Sequence, residues 1–239
     1  MRHRGWMSTI AYVTGLAGLV NLALTPGASQ WLPWIIGLYL LGGLTISVGY
    51  HRLFCHGAFK AHPFWHWFFA TAGVLFMYGS PIQWSVTHSA HHKWSDTDRD
   101  PHPKPSTALF SKSYRKVPLD LWKMRRLLRQ GEWHWFVDRN YANLWLTLVS
   151  FMAALNWEFV LYAYLPALGL AHLTGAIHNT FSHLGGKPRD WWFMEFILPA
   201  GGEWLHGQHH AKERLCDFRS RWYHLDPGAL FIKLIRKRT

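Results

Sequence analysis

Charge vanishes from this chain in long blocks, and the blocks set its architecture. Residues Trp6 to Leu24 contain no charged side chain, and neither do Leu32 to Tyr50. Each run is close to the ~20 residues that carry an α-helix across a bilayer. The linking residues Thr25–Trp31 (TPGASQW) read as a tight turn. Arg2 and Arg4 before the first run, with small residues at Gly27 to Ser29 after it, resemble a signal peptide. The apolar stretch is too long for that, however, and a second span follows at once, so the run is read as a retained span. Two further spans fall at about Tyr141–Trp157 and Phe159–Ser182, separated by the lone Glu158. The pattern predicts an all-α membrane protein whose spans, about 6–24, 32–50, 141–157 and 159–182, form two helical hairpins. The apolar segment Phe64–Trp84 does not fit as a fifth crossing, because the chain after it would emerge on the wrong face. It is expected to be an interfacial or re-entrant helix.

The basic residues orient this scheme. Of 25 Lys and Arg, only Arg2 and Arg4 precede the first hairpin; thirteen lie from Arg52 to Arg139 and ten from Lys187 to Arg238. By the positive-inside rule both termini and the central loop are expected to be cytoplasmic. One domain over residues 1–239 then has its cytosolic cap at about 51–140 and 183–239. The mean hydropathy of −0.07 is an average over this segregation. The net charge of +12 suits anionic lipid headgroups, above all at Lys123–Arg129 and Arg236–Arg238. No nucleic-acid motif accompanies the charge, so nucleic acid is not an expected partner. Cys55 and Cys216, the only cysteines, make no disulfide framework and read as reduced thiols.

The 17 histidines are placed where they carry chemistry. HxxxxH, at His51 and His56, begins as the second span ends. HxxHH occurs twice, at His88, His91 and His92 and again at His206, His209 and His210. Positions i, i+3 and i+4 share a helix face, so each HxxHH presents three imidazoles together. Adjacent histidines diverge by about 100° and are able to serve two different ions. His51 and His56 do not share a face of a straight α-helix and need a bend or a helix end between them. Asn179 and His183, at i and i+4, point the same way at the end of the fourth span. Such a set suits zinc, iron, copper or nickel, and it exceeds what one tetrahedral ion uses, so two metals are expected. The bland reading, packing or interfacial placement, is the better one for His3, His62, His66, His134, His172, His178 and His224. His102 is expected to support a ligand rather than to be one. Asp96, Asp100 and Glu203 are candidates to orient ligating rings through the second ring nitrogen.

These motifs resemble the membrane fatty acyl desaturases, of the stearoyl-CoA (delta-9) type. The resemblance rests on HRLFCH, WSVTHSAHHKWSDTDRDPH, NTFSH and GEWLHGQHH in order, extends to RWYHLDPGALFIKLI, and covers about Leu38 to Leu234. It implies four transmembrane helices under a cytosolic cap and a centre of two non-haem irons. Carried over by position, the implied ligands are His51, His56, His88, His91, His92, His183, His206, His209 and His210, with Asn179 holding a water. Acyl-CoA members have Arg-Asp before the second box where this chain has Val86 and Thr87, so a lipid-linked acyl ester competes with a CoA thioester as substrate. The chain has no haem-binding extension, which implies a separate electron donor, ferredoxin-like or cytochrome b5-like.

An unactivated methylene has no acidic proton, so the hard step falls to the cofactor, with O2 and two electrons. The protein is left to hold the metals, exclude water and shape a bent apolar tunnel. Trp84, Thr174 and Gly175 are candidates for its bend. With a rise of 1.5 Å per residue, Tyr39 lies roughly 18 Å and Ile35 roughly 24 Å beyond His51 on one helix face, where a bulky side chain closes a tunnel. A lipid or alkane hydroxylase with the same His boxes is the nearest rival, and a membrane metal-binding or transport protein a more distant one.

Overall fold

The computed structural model describes residues 4–102, 104, 117–118, 120–129 and 131–237. His3 and most of the segment after His102 lie outside them. Among the described residues the chain is helical, with two isolated β-bridges, Ala61 to Arg236 and Asp190 to Leu205. Its α-helices are α1 (Arg4–Leu24), α2 (Leu32–Leu44), α3 (Pro63–Leu75), α4 (Pro81–Trp94), α5 (Leu121–Leu128), α6 (Trp133–Leu155), α7 (Trp157–Phe159), α8 (Leu165–Ser182), α9 (His206–Ala211) and α10 (Pro227–Ile235). Two continuous helical stretches, Ala28–Cys55 and Trp157–Ser182, are long and apolar enough to cross a membrane; Thr9–Leu24 is a shorter apolar helix.

α1 and α2 both pack on α8. The α1–α8 crossing is made by two glycines: a Cβ on Gly169 would lie 2.3 Å from the Gly15 carbonyl oxygen, and one on Gly15 2.3 Å from the Gly169 Cα. Backbone touches backbone, so neither side chain can grow without separating the helices. Gly169→Val is expected to lower stability by about 1–3 kcal/mol through overpacking. An unchanged melting temperature in detergent would show that the helices are free to shift apart.

The segment Phe64–Trp84 is not a single helix but parts of two. α3 ends at Leu75, and α4 starts at Pro81 with Ser80 as its N-cap, accepting from the Gln83 amide at 3.1 Å. Proline at the first helical position and a serine cap before it start a new helix rather than continue an old one. Between them Met77 (φ 54°) and Gly79 (φ 88°) take left-handed conformations. The break is pinned from three sides. The Tyr164 hydroxyl donates to the Leu75 carbonyl (2.6 Å), the Tyr50 hydroxyl to the Gly79 carbonyl (2.9 Å), and the Gly79 amide donates to the Tyr141 hydroxyl (3.0 Å). The hydrophobic pattern runs through the break, which is why it reads as one segment in the sequence.

A candidate metal centre of nine imidazoles

α2 does not end where its sequence leaves the apolar run; it widens into a π-helix over Thr45–Cys55. There the His56 amide donates to the His51 carbonyl at 3.0 Å, an i to i+5 bond, and the two rings stand 4.9 Å apart. A π-turn brings together residues five apart, which an α-turn cannot do. This is the local structure that the HxxxxH spacing requires, in place of a bend. The Arg126 guanidinium of α5 binds the carbonyls of Phe54 and Cys55, two of those left open where the helix ends.

The imidazoles fall into two groups. His51, His56, His88, His92 and His209 have ligand atoms within 4.8 Å of one another, and so do His91, His183, His206 and His210. The adjacent pairs divide as their 100° divergence requires: His92 and His209 enter the first group, His91 and His210 the second. Within the first, the Nε2 atoms of His51 and His209 lie 2.8 Å apart, those of His209 and His92 2.7 Å, and those of His92 and His88 3.0 Å. Within the second, His206 Nε2 is 2.8 Å from His183 Nε2 and 3.0 Å from His210 Nε2. Neutral rings cannot satisfy so many converging nitrogens with hydrogen bonds to each other. Metal–nitrogen bonds of about 2.1 Å at right angles would place neighbouring nitrogens about 3.0 Å apart, so the residues fit an ion.

The opposite ring nitrogens supply the second half of the case. His51 Nδ1 meets Glu203 at 2.6 Å, His91 Nδ1 meets Asp100 at 2.9 Å, and His183 Nδ1 meets Asp96 at 3.0 Å. A carboxylate on Nδ1 holds the proton there and leaves the Nε2 lone pair for a metal. Asp96 reaches His183 from a positive φ of 60°, while its own amide donates to Asp100. Burial, and after it the surrounding imidazoles, holds His88, His206 and His209 far below the ordinary histidine range, so these rings are neutral and able to ligate. Burial pushes Glu203 up, but the His51 ring, Arg52 and Ser47 outweigh it and hold the carboxylate at about 2. His102 stacks on His91 with ring centroids 4.2 Å apart, beside the Asp100 that backs the same ring.

Two carboxylates that the sequence reading did not single out also serve the centre. Glu213 reaches both His92 Nδ1 (3.3 Å) and His56 Nδ1 (3.7 Å) from just beyond α9. Asp190 accepts the amides of Gly207 (2.7 Å) and Gln208 (3.2 Å), which seats the third histidine box. Acid four residues after a histidine (His209, Glu213) is the available signal for the first; the second, remote in sequence, has none. Three of the histidines read as structural make bonds to the backbone. His62 caps α3, His172 bonds the Phe76 carbonyl (2.9 Å), and His178 bonds the Glu203 carbonyl (2.9 Å).

A cavity of about 160 Å³ opens against these rings and runs between α2, α4 and α8. Its lining includes Trp84, His88, His91, Asn179 and His206 at the metal end, then Thr174, Gly175, Gly43 and Tyr39. Trp84 stacks on His88 (4.6 Å), and Tyr39 and Thr174 pair hydroxyl to hydroxyl at 3.1 Å. Ile35 is not in the lining; it packs on Ala163 and Ala167. Behind the lining residue Ala200, the buried Glu195 accepts the amides of Ala200 and Gly201, and burial pushes its carboxyl up to about 8.

An imidazole-rich centre at the head of an apolar cavity defines a metal-dependent oxidoreductase of the membrane, built for a lipid chain. No family model matches the chain, but curated proteins do. It is 30% identical to Delta-9 acyl-lipid desaturase 2 of Arabidopsis thaliana, over 83% of this chain and 69% of that protein. It is 24% identical to the sn-1 stearoyl-lipid 9-desaturase of Anabaena variabilis, over 97% of this chain and 90% of the relative. A probable acyl-CoA desaturase of Schizosaccharomyces pombe is 32% identical over 97% of this chain, which spans 52% of that relative. The chain belongs to the fatty acyl desaturase family, delta-9 type.

Proposed function

We propose that this protein places a cis double bond at the delta-9 position of a saturated acyl chain, using two irons, O2 and two electrons from a separate carrier. The observation that carries this reading is the continuity of the cavity with both imidazole groups: an acyl chain in it passes His88, His91 and His206. Bound iron supplies the oxidising power that no side chain has. The chain's own residues do the rest. Nine histidines would hold two ions, Asn179, in the cavity lining, would hold a water, and carboxylates at Nδ1 of His51, His56, His91, His92 and His183 keep the proton on that side of those rings. Trp84, Thr174 and Gly175 bend the acyl chain past the metals. Four helices cross the bilayer in two hairpins, with both termini and the active site on the cytoplasmic side.

Val86 and Thr87 are buried, and the Thr87 hydroxyl is spent on the Gln83 carbonyl, so neither position reaches a CoA headgroup. This favours a lipid-linked ester. Expression in a host without unsaturated fatty acids, with mass analysis of lipids and double-bond positions, tests the whole reading. A delta-9 olefin is expected, and an alcohol at the same carbon would make the protein a hydroxylase. Iron analysis should give about two ions per chain.

Tyr39 closes the far end of the cavity. Tyr39→Ala should extend activity to acyl chains longer than the wild type accepts, measured on substrates of graded length. An unchanged length profile with lower yield would leave Tyr39 only its bond to Thr174.

A further inference from the structure

The stretch between α8 and α9 carries an exposed apolar surface. Trp192, Phe193, Phe196 and Ile197 are all exposed, the last two at 64%. From Trp191 to Gly202 the only charged side chain is Glu195. That carboxyl is turned inward: Glu195 is 2% exposed and accepts the amides of Ala200 and Gly201, so the outward face of the stretch presents no charge.

The stretch is a loop, closed at its neck and deep at its tip. The Asp190–Leu205 bridge ties the two ends together, as does the Trp191 amide, which donates to the Trp204 carbonyl at 2.8 Å. The Trp191 indole donates to the Phe181 carbonyl at the end of α8 (2.9 Å). Beyond this neck the chain lies along α2. The Gly201 carbonyl accepts from the Ser47 hydroxyl at 2.7 Å, and a Cβ on Gly43 would lie 3.5 Å from the Pro199 carbonyl oxygen. Gly43 stands seven residues, about 10 Å, inside the end of the charge-free run at Tyr50. Backbone at that depth has to find its partners within the protein. The Leu198 amide donates to the Met194 carbonyl (2.8 Å), the Leu198 carbonyl accepts the Trp204 indole (2.7 Å), and Glu195 takes two further amides.

The neck has a different composition. Trp192 lies against Tyr223 with ring centroids 5.0 Å apart, and the neighbouring Trp222 is 94% exposed. Exposed Arg189 and Arg221 stand two residues before Trp191 and directly before Trp222. An apolar tip beneath aromatic and basic side chains is the order of groups across a membrane interface.

We propose that Trp191–Trp204 is a re-entrant loop set in the cytoplasmic leaflet, with Phe196 and Ile197 against lipid hydrocarbon and Trp192, Trp222 and Tyr223 at the level of the headgroups. The proposal rests on the reading of α2 as a span whose His51 end is cytoplasmic. The inner side of the same loop, at Pro199 and Ala200, lines the acyl cavity. The cavity is thereby walled by a lipid-facing element on the side where a lipid-linked substrate resides.

The test uses the full, iron-loaded chain in phosphatidylcholine nanodiscs at one copy per disc. Phe196→Cys, Ile197→Cys, Leu40→Cys and Asp98→Cys are each made in a Cys216→Ala background, Cys55 being buried, and labelled with the fluorophore NBD. Leu40 is an exposed position of α2, and Asp98, 93% exposed, lies in the polar loop after α4. Quenching is read with doxyl-labelled lipid and with iodide, and iron content equal to wild type checks the fold of each variant. Labels at Phe196→Cys and Ile197→Cys should behave as at Leu40→Cys, quenched by doxyl lipid at least threefold more than the Asp98→Cys label and by iodide at least threefold less. Iodide quenching at both loop positions equal to that at Asp98→Cys would place the loop in water, and protection from both quenchers would place protein over it; either result overturns the proposal. A Leu40→Cys label that iodide reaches would overturn the span reading and the proposal with it. A wild-type chain that forms no olefin, while the loop labels still match Leu40→Cys, would overturn the desaturase reading and uphold the loop.

Discussion

Alanine at any one of His88, His91, His92, His206, His209 or His210 is expected to abolish double-bond formation while the chain still inserts and purifies. The six belong to two ligand groups, so the variants should differ in what they lose. His88→Ala, His92→Ala and His209→Ala open the group of five, whereas His91→Ala, His206→Ala and His210→Ala open the group of four. Iron should fall from about two to about one per chain in either class, with different spectra for the ion that remains. The fold should survive because an apolar core of other side chains, Tyr50, Phe54, Phe69, Phe76 and Leu168, is fully buried. Product analysis and iron determination check this together. Desaturation retained in two or more of the six variants would sink the ligand assignment.

Much of that site is legible in the sequence because helix geometry translates spacing directly into direction. HxxHH on a helix can only present three rings, and adjacent histidines can only diverge, so the split of His91 from His92 and of His209 from His210 follows from local structure alone. The carboxylates Asp96, Asp100 and Glu203 were legible as candidates because each stands near a histidine box, but only Asp100 backs a ring of its own box, while Asp96 and Glu203 back the distant His183 and His51. Legibility fails where distant chain segments decide. HxxxxH needs a special turn, but its being a π-helix depends on packing around Gly49 and on Arg126 binding the end of the helix. The α3–α4 break depends on hydroxyls from Tyr50, Tyr141 and Tyr164, each remote in sequence. Ile35 and Tyr39 share one face by spacing, yet Ala167 of α8 and Ala163 in the turn before it cover Ile35, while Tyr39 lies on the cavity. Glu213 stands in the sequence between two basic residues, Lys212 and Arg214. Only the tertiary fold puts it against two rings.

Glu203→Gln should weaken iron retention and activity by about 10–100-fold, the range for loss of a carboxylate that orients a ligating histidine. The glutamine keeps the size of the side chain and an oxygen able to accept from His51, so the change isolates charge. In the wild type Glu203 takes three partners: His51 Nδ1 at 2.6 Å, the Ser47 hydroxyl at 2.6 Å, and the Arg52 guanidinium at 3.8 Å. Arg52 is fully buried and is already neutralised by Asp226 at 2.9 Å, which limits the damage to the fold when Glu203 loses its charge. What the substitution removes is the negative charge that makes His51 a stronger donor through Nε2. Ser47→Ala, which deletes one of the hydrogen bonds holding the carboxylate but leaves its charge, should cost less, on the order of 1 kcal/mol or several-fold. Iron loss to a chelator, timed for both variants beside the wild type, separates the two effects. Equal loss rates for Glu203→Gln and wild type would mean that His51 holds its metal without help from the carboxylate, and the role of Glu203 would shrink to anchoring Ser47.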